Sequence, residues 1–447
     1  CNKKYMTGCS MTYFILSMGC QMNTSDSERI ATILENMGYT KSASENEADF
    51  IVLNTCSVRE SAENRMYGKM RMYREFKKQN PHLKVLITGC IPGSQGEAFR
   101  KKVPDADFVV NIQNISKIPE IVGLAKSNTI ATPLTLKEQN DEYFNVPPTY
   151  NSRFRAYVPI SIGCNKFCTY CIVPKARGRE KSRNSNNIIA ECELLVQNGY
   201  KELTLLGQNV NSYGNDNNEE LSFPELLERI ADIPGEFWVR YTSSHPHDMS
   251  DALIELMGRH PKIPPYVHLP VQSGSDAVLK RMNRHYTIAH YLERMRKVRA
   301  TISNAMISTD IVVGFCGETE ADFQKTLDVC REVEYDMIYS GIYSPRKGTY
   351  AAEHYKDDVP HEEKKRRDRT LNELIGNISN QHNKKMIGKE VTVLPEKIHK
   401  GMLQGKTDTF KTMQIGGEGV SDNLIGSFVR ARVTDADTWG MSGVLAV

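Results

Sequence analysis

The first 130 residues alternate between two kinds of apolar pattern. The unbroken apolar runs YFILS, FIVLN and KVLIT read as buried β-strands. Between them lie stretches of helical period such as SDSERIATILENMG, with Ser or Asp expected at the cap and Gly38 at the stop. Such alternation implies a parallel sheet, and functional groups of parallel sheets gather at the carboxyl ends of the strands. Each run leads into a loop that holds a cysteine: Cys20, Cys56 and Cys90, 36 and 34 positions apart. The three are expected on one rim of one sheet, close in space though distant in sequence.

Residues 130–150, IATPLTLKEQNDEYFNVPPTY, break this period with Pro, Asn and Thr and read as a linker. A second βα series follows. Its strand candidates are RAYVPISI, ELTLLG, FWVRYTS, YVHLPV, MISTDIVVGF and MIYSGIYS, separated by helical stretches such as NNIIAECELLVQNG and EADFQKTLDVCREVE. Six units are too few to close an eight-stranded barrel, so an open, partial (β/α)6 barrel is expected, with its chemistry at the strand carboxyl ends. From about residue 385 the pattern changes to short β runs, VTVLP, KTMQIG and FVRARVTDA, separated by glycines. That predicts a small all-β barrel of the size of oligonucleotide-binding modules. The predicted fold class is α/β: a doubly wound parallel-sheet domain over 10–130, a partial barrel over 150–380 and an all-β barrel over 383–447.

Composition narrows the class. A chain of 447 residues exceeds what one core normally serves, which agrees with several domains. Apolar residues at 40%, charged residues at 25% and a negative mean hydropathy describe an ordinary water-soluble chain. No stretch approaches the ~18 continuous apolar residues of a membrane span, and the polar start CNKKYMTGCS lacks a secretory core, so a cytoplasmic protein is expected. The chain opens on Cys1, which suggests a start inside a longer gene product. Eleven cysteines gathered at turn-like positions favour metal or redox chemistry in a reducing compartment over a disulfide framework. The net charge of +3 says little by itself. Its distribution says more: residues 151–183 carry eight Lys or Arg against Glu180, and residues 384–411 carry seven Lys against Glu390, Glu396 and Asp408. Two basic stretches flanking a reactive centre point toward an anionic partner.

The densest chemistry is GCNKFCTYC, where Cys164, Cys168 and Cys171 follow the spacing CxxxCxxC just after the first barrel strand. A structural zinc site is nearly always four-coordinate, and no nearby His or Cys completes this one. Three thiolates suit a cubane 4Fe-4S cluster in which each cysteine takes one iron and the fourth iron stays open. CxxxCxxC on the first loop of a partial barrel resembles the radical S-adenosylmethionine (SAM) superfamily. In that superfamily the amino and carboxylate groups of SAM chelate the open iron, and an electron from the cluster cleaves SAM to a 5'-deoxyadenosyl radical.

The segments VPISIGCNKFCTYCIVPKARGREKSR, LLGQNVNSYG, VHLPVQSGSDAVLKRM, DIVVGFCGETEADF and YSPRKGTYAA, with the three-cysteine first domain, narrow the resemblance to the methylthiotransferases. LLGQNVNSYG is most similar to the MiaB type, whose members make 2-methylthio-isopentenyladenosine at tRNA position 37. The resemblance spans essentially the whole chain and implies two 4Fe-4S clusters, SAM in two roles and a C-terminal TRAM domain that holds RNA. Carried over, Cys164, Cys168 and Cys171 would hold the SAM cluster. Cys20, Cys56 and Cys90 would hold an auxiliary cluster at which sulfur is methylated and passed on; buried core thiols are the plain alternative for these three. No catalytic residue is implied beyond the cluster ligands.

Other expectations rest on position. The resemblance places Gln208 and Asn209, at the end of the second strand, near the methionine end of SAM, and Thr309, Asp310 and Gly314 in a segment similar to the superfamily's adenine-side motif; Ser243, His245, Gln272 and Arg346, at or around strand ends, are further candidates for binding SAM, with His268 nearby as ligand or scaffold. Gly314 would allow close approach of an adenine. Arg177 and Arg179 would meet tRNA phosphate or the cofactor, and Lys397, Lys400, Lys406 and Lys411 would grip tRNA. Cys316 departs from the usual pattern of relatives and would place an extra thiol near the cofactor, and IPGSQGE after Cys90 is also unusual. Cys192 and Cys330 in helices, and Cys1 and Cys9 in the tail, are expected to be incidental. The implied partners are a tRNA anticodon stem-loop, a flavodoxin-type electron donor and a candidate sulfur donor, with no membrane. Branches acting on threonylcarbamoyl-adenosine or on a ribosomal-protein aspartate are alternatives. A non-catalytic iron-sulfur electron carrier is an alternative of another class.

Overall fold

A computed structural model describes residues 11–57, 60–125 and 143–446, which fall into two compact units. The first comprises the described residues up to Asn151 together with Ile162–Asn165 and Cys171–Lys181; the second holds Ser152–Ser161, Lys166–Tyr170 and the chain from Ser182 onward.

In the first unit the chain runs β1 (Thr12–Ser17), α1 (Gln21–Asn36), β2 (Thr40–Lys41), β3 (Phe50–Thr55), α2 (Glu60–Gln79), β4 (Lys84–Gly89), α3 (Cys90–Gln95), α4 (Glu97–Lys102), β5 (Phe108–Val109) and α5 (Ile118–Ala125). The five strands form one parallel sheet of order β2-β1-β3-β4-β5. The central strand β3 is buried at every position because helices cover both faces. Its alternation divides the core: Phe50 and Val52 pack with Ile30, Leu34 and Ile115, whereas Ile51 and Leu53 pack with Met66, Tyr73 and Phe99. This is the doubly wound sheet that the apolar runs predict. Helix α1 starts earlier than the expected Ser or Asp cap: Cys20 is the N-cap, because Gly19 at φ +121° turns the chain straight out of β1.

Residues 126–142, which include 130–142 of the expected linker, lie outside the described residues, as do Cys1 and Cys9. From Tyr143 the chain packs along α1. Tyr143 is buried and donates to Asp26 Oδ1 at 2.6 Å, Val146 O accepts from Arg29, and Thr149 N donates to Glu28 O at 3.1 Å. One buried aromatic and three hydrogen bonds anchor a segment whose polar composition reads as a connection only.

In the second unit β6 (Arg155–Pro159) is the first long strand. The chain then carries β7 (Ser161–Ile162), the cysteine loop, α6 (Val173–Arg177), which counts with the first unit, and β8 (Lys181–Ser182). There follow α7 (Ser185–Gln197), β9 (Glu202–Leu206), α8 (Phe223–Ala231), β10 (Trp238–Tyr241), α9 (Asp251–Arg259), β11 (Tyr266–His268), α10 (Asp276–Arg281), α11 (Ile288–Thr301), β12 (Met306–Val313), α12 (Glu320–Val333), β13 (Met337–Ile342), α13 (Tyr350–His354) and α14 (His361–Lys384). The six long strands pair in parallel as β6-β9-β10 and β11-β12-β13, the six of the predicted partial barrel. Cys192 in α7 and Cys330 in α12 are buried, and burial pushes both thiols up, Cys330 to about 12.

The remaining strands β14 (Glu390–His399), β15 (Met402–Thr407), β16 (Thr412–Gly416), β17 (Val429–Ala436) and β18 (Met441–Leu445) close a barrel of order β14-β15-β16-β18-β17. The strands β15 and β18 are absent from the apolar pattern, for a steric reason. A Cβ at Gly405 would stand 2.2 Å from Leu394 O and one at Gly443 2.0 Å from Arg432 O, so both strands carry glycine where backbones approach. This barrel is tied to the parallel strands of its unit through Glu202. That carboxylate, 1% exposed, accepts from Arg155 Nε at 2.5 Å and from Arg240 Nε at 2.8 Å. Arg240 in turn donates to Asp408 O and Thr407 O at 2.7 and 2.8 Å. No described helix is long and apolar enough to cross a membrane.

Candidate functional site: two cysteine triads at strand ends

Cys20 caps α1 after β1, Cys56 follows β3, and Cys90 opens α3 directly after β4. Because β1, β3 and β4 are neighbours in the sheet, all three cysteines stand at the carboxyl edge of adjacent strands. Two glycines make the approach possible. A Cβ at Gly19 would lie 2.6 Å from Cys56 Cβ, and one at Gly89, at φ +97°, would lie 2.3 Å from Thr55 O. Cys56 and Cys90 are buried and Cys20 is exposed. Atoms crowded around the Cys20 sulfur desolvate it even so and push its thiol up; Arg177 and Asn23 act against this, and Cys90 and Asp26 add to it.

Among the described residues no three Cys, His, Asp or Glu converge on one point as ligands of a single metal ion. Ligands of one zinc lie about 2.3 Å from it, whereas the thiolates of a cubane each hold a different iron and stand farther apart. Three thiols at the ends of three adjacent strands supply the kind of donor set a cubane uses.

Arg177 belongs to this place. It is 4% exposed and donates through Nη2 to Asp26 Oδ2 at 2.5 Å. Tyr143 shares Asp26, and Asn23, which accepts from Cys20 Sγ at 3.3 Å, donates to Asn54 Oδ1 at 3.1 Å and Thr55 O at 2.9 Å. The expectation that Arg177 meets tRNA phosphate is therefore corrected: the guanidinium is sealed in a buried ion pair behind Cys20. Arg179, two residues on, is exposed. Helix α6 carries Arg177 to this position by packing on α3, where a Cβ at Gly93 would meet Ala176 O at 2.3 Å. That is the physical content of the unusual IPGSQGE segment.

In the second unit the parallel strands bring Gln208, Asn209, Ser243, His245, Gln272 and Arg346 to their carboxyl ends. Ser243 and Gln272 hold φ of +67° and +65°, strained for non-glycine residues and characteristic of functional rims. Asn209 is buried and donates to Asp248 Oδ2 at 2.7 Å, while its Oδ1 has no hydrogen-bond partner. His245 is buried, its Nδ1 accepts from His247 N at 3.3 Å, and its Nε2 is buried without a partner. Burial first, then the cations Arg284 and Lys166, hold the imidazole neutral by pulling its pKa far down. With Nδ1 accepting, the ring proton resides on Nε2, so a donor and an acceptor stand ready for a polar ligand.

The cysteine loop is fastened to these strands. Lys166 pairs with Asp248 at 2.6 Å; burial opposes ionisation of Asp248, but bonds from Lys166, Asn209 and His247 overcome it and hold the carboxyl below its usual range. Asn283 Nδ2 donates to Phe167 O at 3.0 Å, Thr169 N to Met282 O at 3.1 Å and Thr169 Oγ1 to Arg281 O at 2.9 Å. Arg284 Nη1 donates to Cys168 Sγ at 3.3 Å. Nothing in the spacing of RMNRHY marks this clasp, since its partners lie more than 110 residues away.

Other expected positions have structural duties. Gly314, at φ +70°, is needed because a Cβ would stand 2.3 Å from Cγ of the buried Lys364. Thr309 is fully buried with its hydroxyl spent on Leu269 O and Val271 N, both at 2.8 Å. Asp310 faces His268 Nε2 at 3.6 Å, and His268 Nδ1 lies 2.9 Å from Ser308 Oγ. Cys316 is buried among Phe315, Tyr343 and Ala351, and burial raises its thiol. In the small barrel Lys397 and Lys400 are exposed, whereas Lys411 binds Asp336 at 3.0 Å and Asn383 at 2.6 Å. Despite its burial, Asp336 is held at about 2 by His382 and Lys411. Lys406 donates to Thr412 Oγ1 at 2.8 Å and burial lowers its pKa, so Lys406 and Lys411 serve the barrel itself.

Six parallel strands with a CxxxCxxC loop after the first define a radical SAM protein, and residues 158–330 match the radical SAM superfamily. Residues 12–111 match the uncharacterized protein family UPF0004. Solved structures agree on the fold: the radical SAM methyltransferase TsrM from Kitasatospora setae superposes with a TM-score of 0.55 at 13% identity, covering 77% of each chain. Among curated proteins, the chain is 42% identical over 437 residues to a tRNA-2-methylthio-N(6)-dimethylallyladenosine synthase of Clostridium botulinum, covering 96% of both. It is 43% identical over 439 residues to that of Carboxydothermus hydrogenoformans, covering 97% of this chain and 99% of the other. The chain belongs to the tRNA-2-methylthio-N(6)-dimethylallyladenosine synthase family.

Proposed function

We propose that this protein transfers a methylthio group to carbon 2 of isopentenyladenosine at position 37 of tRNA, in the cytoplasm, using one SAM as methyl donor and another as radical source. The observation that carries this reading is likeness along the whole chain to synthases named for that product. Cys164, Cys168 and Cys171 would hold one 4Fe-4S cluster and Cys20, Cys56 and Cys90 the other. Bound, the first supplies an open iron and an electron for cleaving SAM, and the second a seat for the transferred sulfur. Around them the chain's own groups bind and orient. Asn209 Oδ1 and the His245 Nε2 proton offer unfilled hydrogen-bonding capacity at the strand ends, and Gln208, Ser243, Gln272 and Arg346 at the rim, with Asp310 inside β12 beside His268, are the other SAM-binding candidates. Neutral His245 binds without competing for protons. An anticodon loop is already single-stranded, so its base leaves the stack at little cost.

The test is anaerobic reconstitution, reduction by a flavodoxin-type donor, and incubation with SAM and isopentenylated tRNA. The expected result is about eight iron atoms per chain, 5'-deoxyadenosine and the methylthiolated nucleoside. Absence of 5'-deoxyadenosine would refute the radical reading; 5'-deoxyadenosine without the nucleoside would refute the substrate alone.

Lys397, Lys400 and Arg179, exposed, are the proposed phosphate contacts. Replacing Lys397 and Lys400 together by Ala is expected to weaken tRNA binding and to flatten the dependence of log K on log salt by about 0.7–0.9 per lost contact. An unchanged slope in filter binding from 50 to 200 mM salt would remove both lysines from the interface.

A further inference from the structure

Arg284 is a buried cation in unusual company. It is 5% exposed, and its three donor nitrogens reach Cys168 Sγ at 3.3 Å, Pro270 O at 3.0 Å and Tyr286 OH at 3.2 Å. None of these partners is a carboxylate. A buried guanidinium costs several kcal/mol unless an anion or strong acceptors balance it, and one of its three N–H donors is spent on the Cys168 sulfur. The backbone is bent to place it: Asn283 and His285, on either side, hold φ of +59° and +51°, and Tyr286 OH, donating to Val271 O at 2.8 Å, braces the guanidinium from behind. The neighbouring Asn283 and Met282 grip the loop backbone at Phe167 and Thr169. Cys168 thus has its direction fixed and its sulfur addressed by a charged N–H donor.

We infer that Arg284 is a positioning residue for Cys168 that raises the reduction potential of the metal group this cysteine would hold. The inference rests on the cluster reading of the proposed function. An N–H donated to a ligating sulfur withdraws charge from it, and a nearby fixed cation favours the form with one more electron. Removing the guanidinium makes that electron harder to add.

The experiment compares the reconstituted full chain with Arg284→Met and Arg284→Lys, reading iron content and the midpoint of the cluster by an EPR-monitored redox titration without SAM. To isolate one signal, both are made on a Cys20→Ala, Cys56→Ala, Cys90→Ala background. The expected result is unchanged iron and a lower midpoint for Arg284→Met, equal to about a tenfold fall in reduced fraction at fixed poise, or about 59 mV for one electron. Arg284→Lys, which keeps the charge, is expected between the two. A midpoint equal to the parent's in either iron-loaded variant would overturn the inference. Should Arg284→Met fail to load iron, Arg284→Lys decides alone. A parent that takes up no iron would instead overturn the cluster reading.

Discussion

Arg177→Met lowers the stability of the apo chain by about 3–5 kcal/mol. The pair it breaks is enclosed, with side-chain exposures of 4% for Arg177 and 0% for Asp26 at 2.5 Å, so among the described residues the lone Asp26 carboxylate keeps the Tyr143 hydroxyl as its close donor. Desolvation opposes a charged Arg177, yet Asp26 and the Cys90 sulfur outweigh it and hold its pKa well above the ordinary value. Denaturant unfolding of the apo protein should show a lower midpoint with an unchanged slope. Asp26→Asn should fall in the same direction, and the double variant should cost less than the two singles added, because each single leaves a partner stranded. Strict additivity would mean that the pair contributes nothing. Because Cys20 caps α1 and Arg177 closes on the second turn of that helix, the same variant is expected to load less iron through the first triad.

Glu202→Gln is expected to cost a similar ~3–5 kcal/mol in the second unit, because it strands Arg240, 3% exposed, whose other donors reach only backbone carbonyls. Arg155 suffers less, since it also pairs with Glu396 at 2.6 Å. Burial raises the pKa of Glu202, but Arg240 and Arg155 overcome it and the net shift is downward from 4.5. A depressed carboxyl contributes stability that is full above its unfolded value and is lost as pH falls through the folded one. The gap between wild type and Glu202→Gln should therefore be constant near neutrality and shrink below about pH 4.5. A gap that stays the same from pH 7 to pH 3 would show that the charge of Glu202 plays no part.

The two predictions mark different kinds of legibility. The parallel sheet, the six barrel strands and the placing of Cys20, Cys56 and Cys90 at neighbouring strand ends follow from local pattern, because a buried parallel strand must be an apolar run and its loop must begin where the run ends. Strands β15 and β18 escaped that logic, since strand-to-strand contact selected glycine over apolar side chains at Gly405 and Gly443. Arg177 and Arg284 escaped it for a related reason. Arginines in basic, turn-rich segments resemble solvated surface charge, and only the distant residues Asp26 and Cys168 turn them into buried, committed groups. The same reversal took Thr309, Lys406 and Lys411 from expected ligand contact to hydrogen bonds within the scaffold.

By itself the sequence determined the class of chemistry: two sets of three thiols, each at strand ends and each one short of a closed four-ligand site. Tertiary structure decided which charges serve those thiols and which merely look available. Spacing along a strand or loop is set by local backbone geometry and is written in the chain, whereas the burial and pairing of a charge depend on partners brought from far along it, 47 positions for Glu202 and Arg155 and 241 for Arg155 and Glu396.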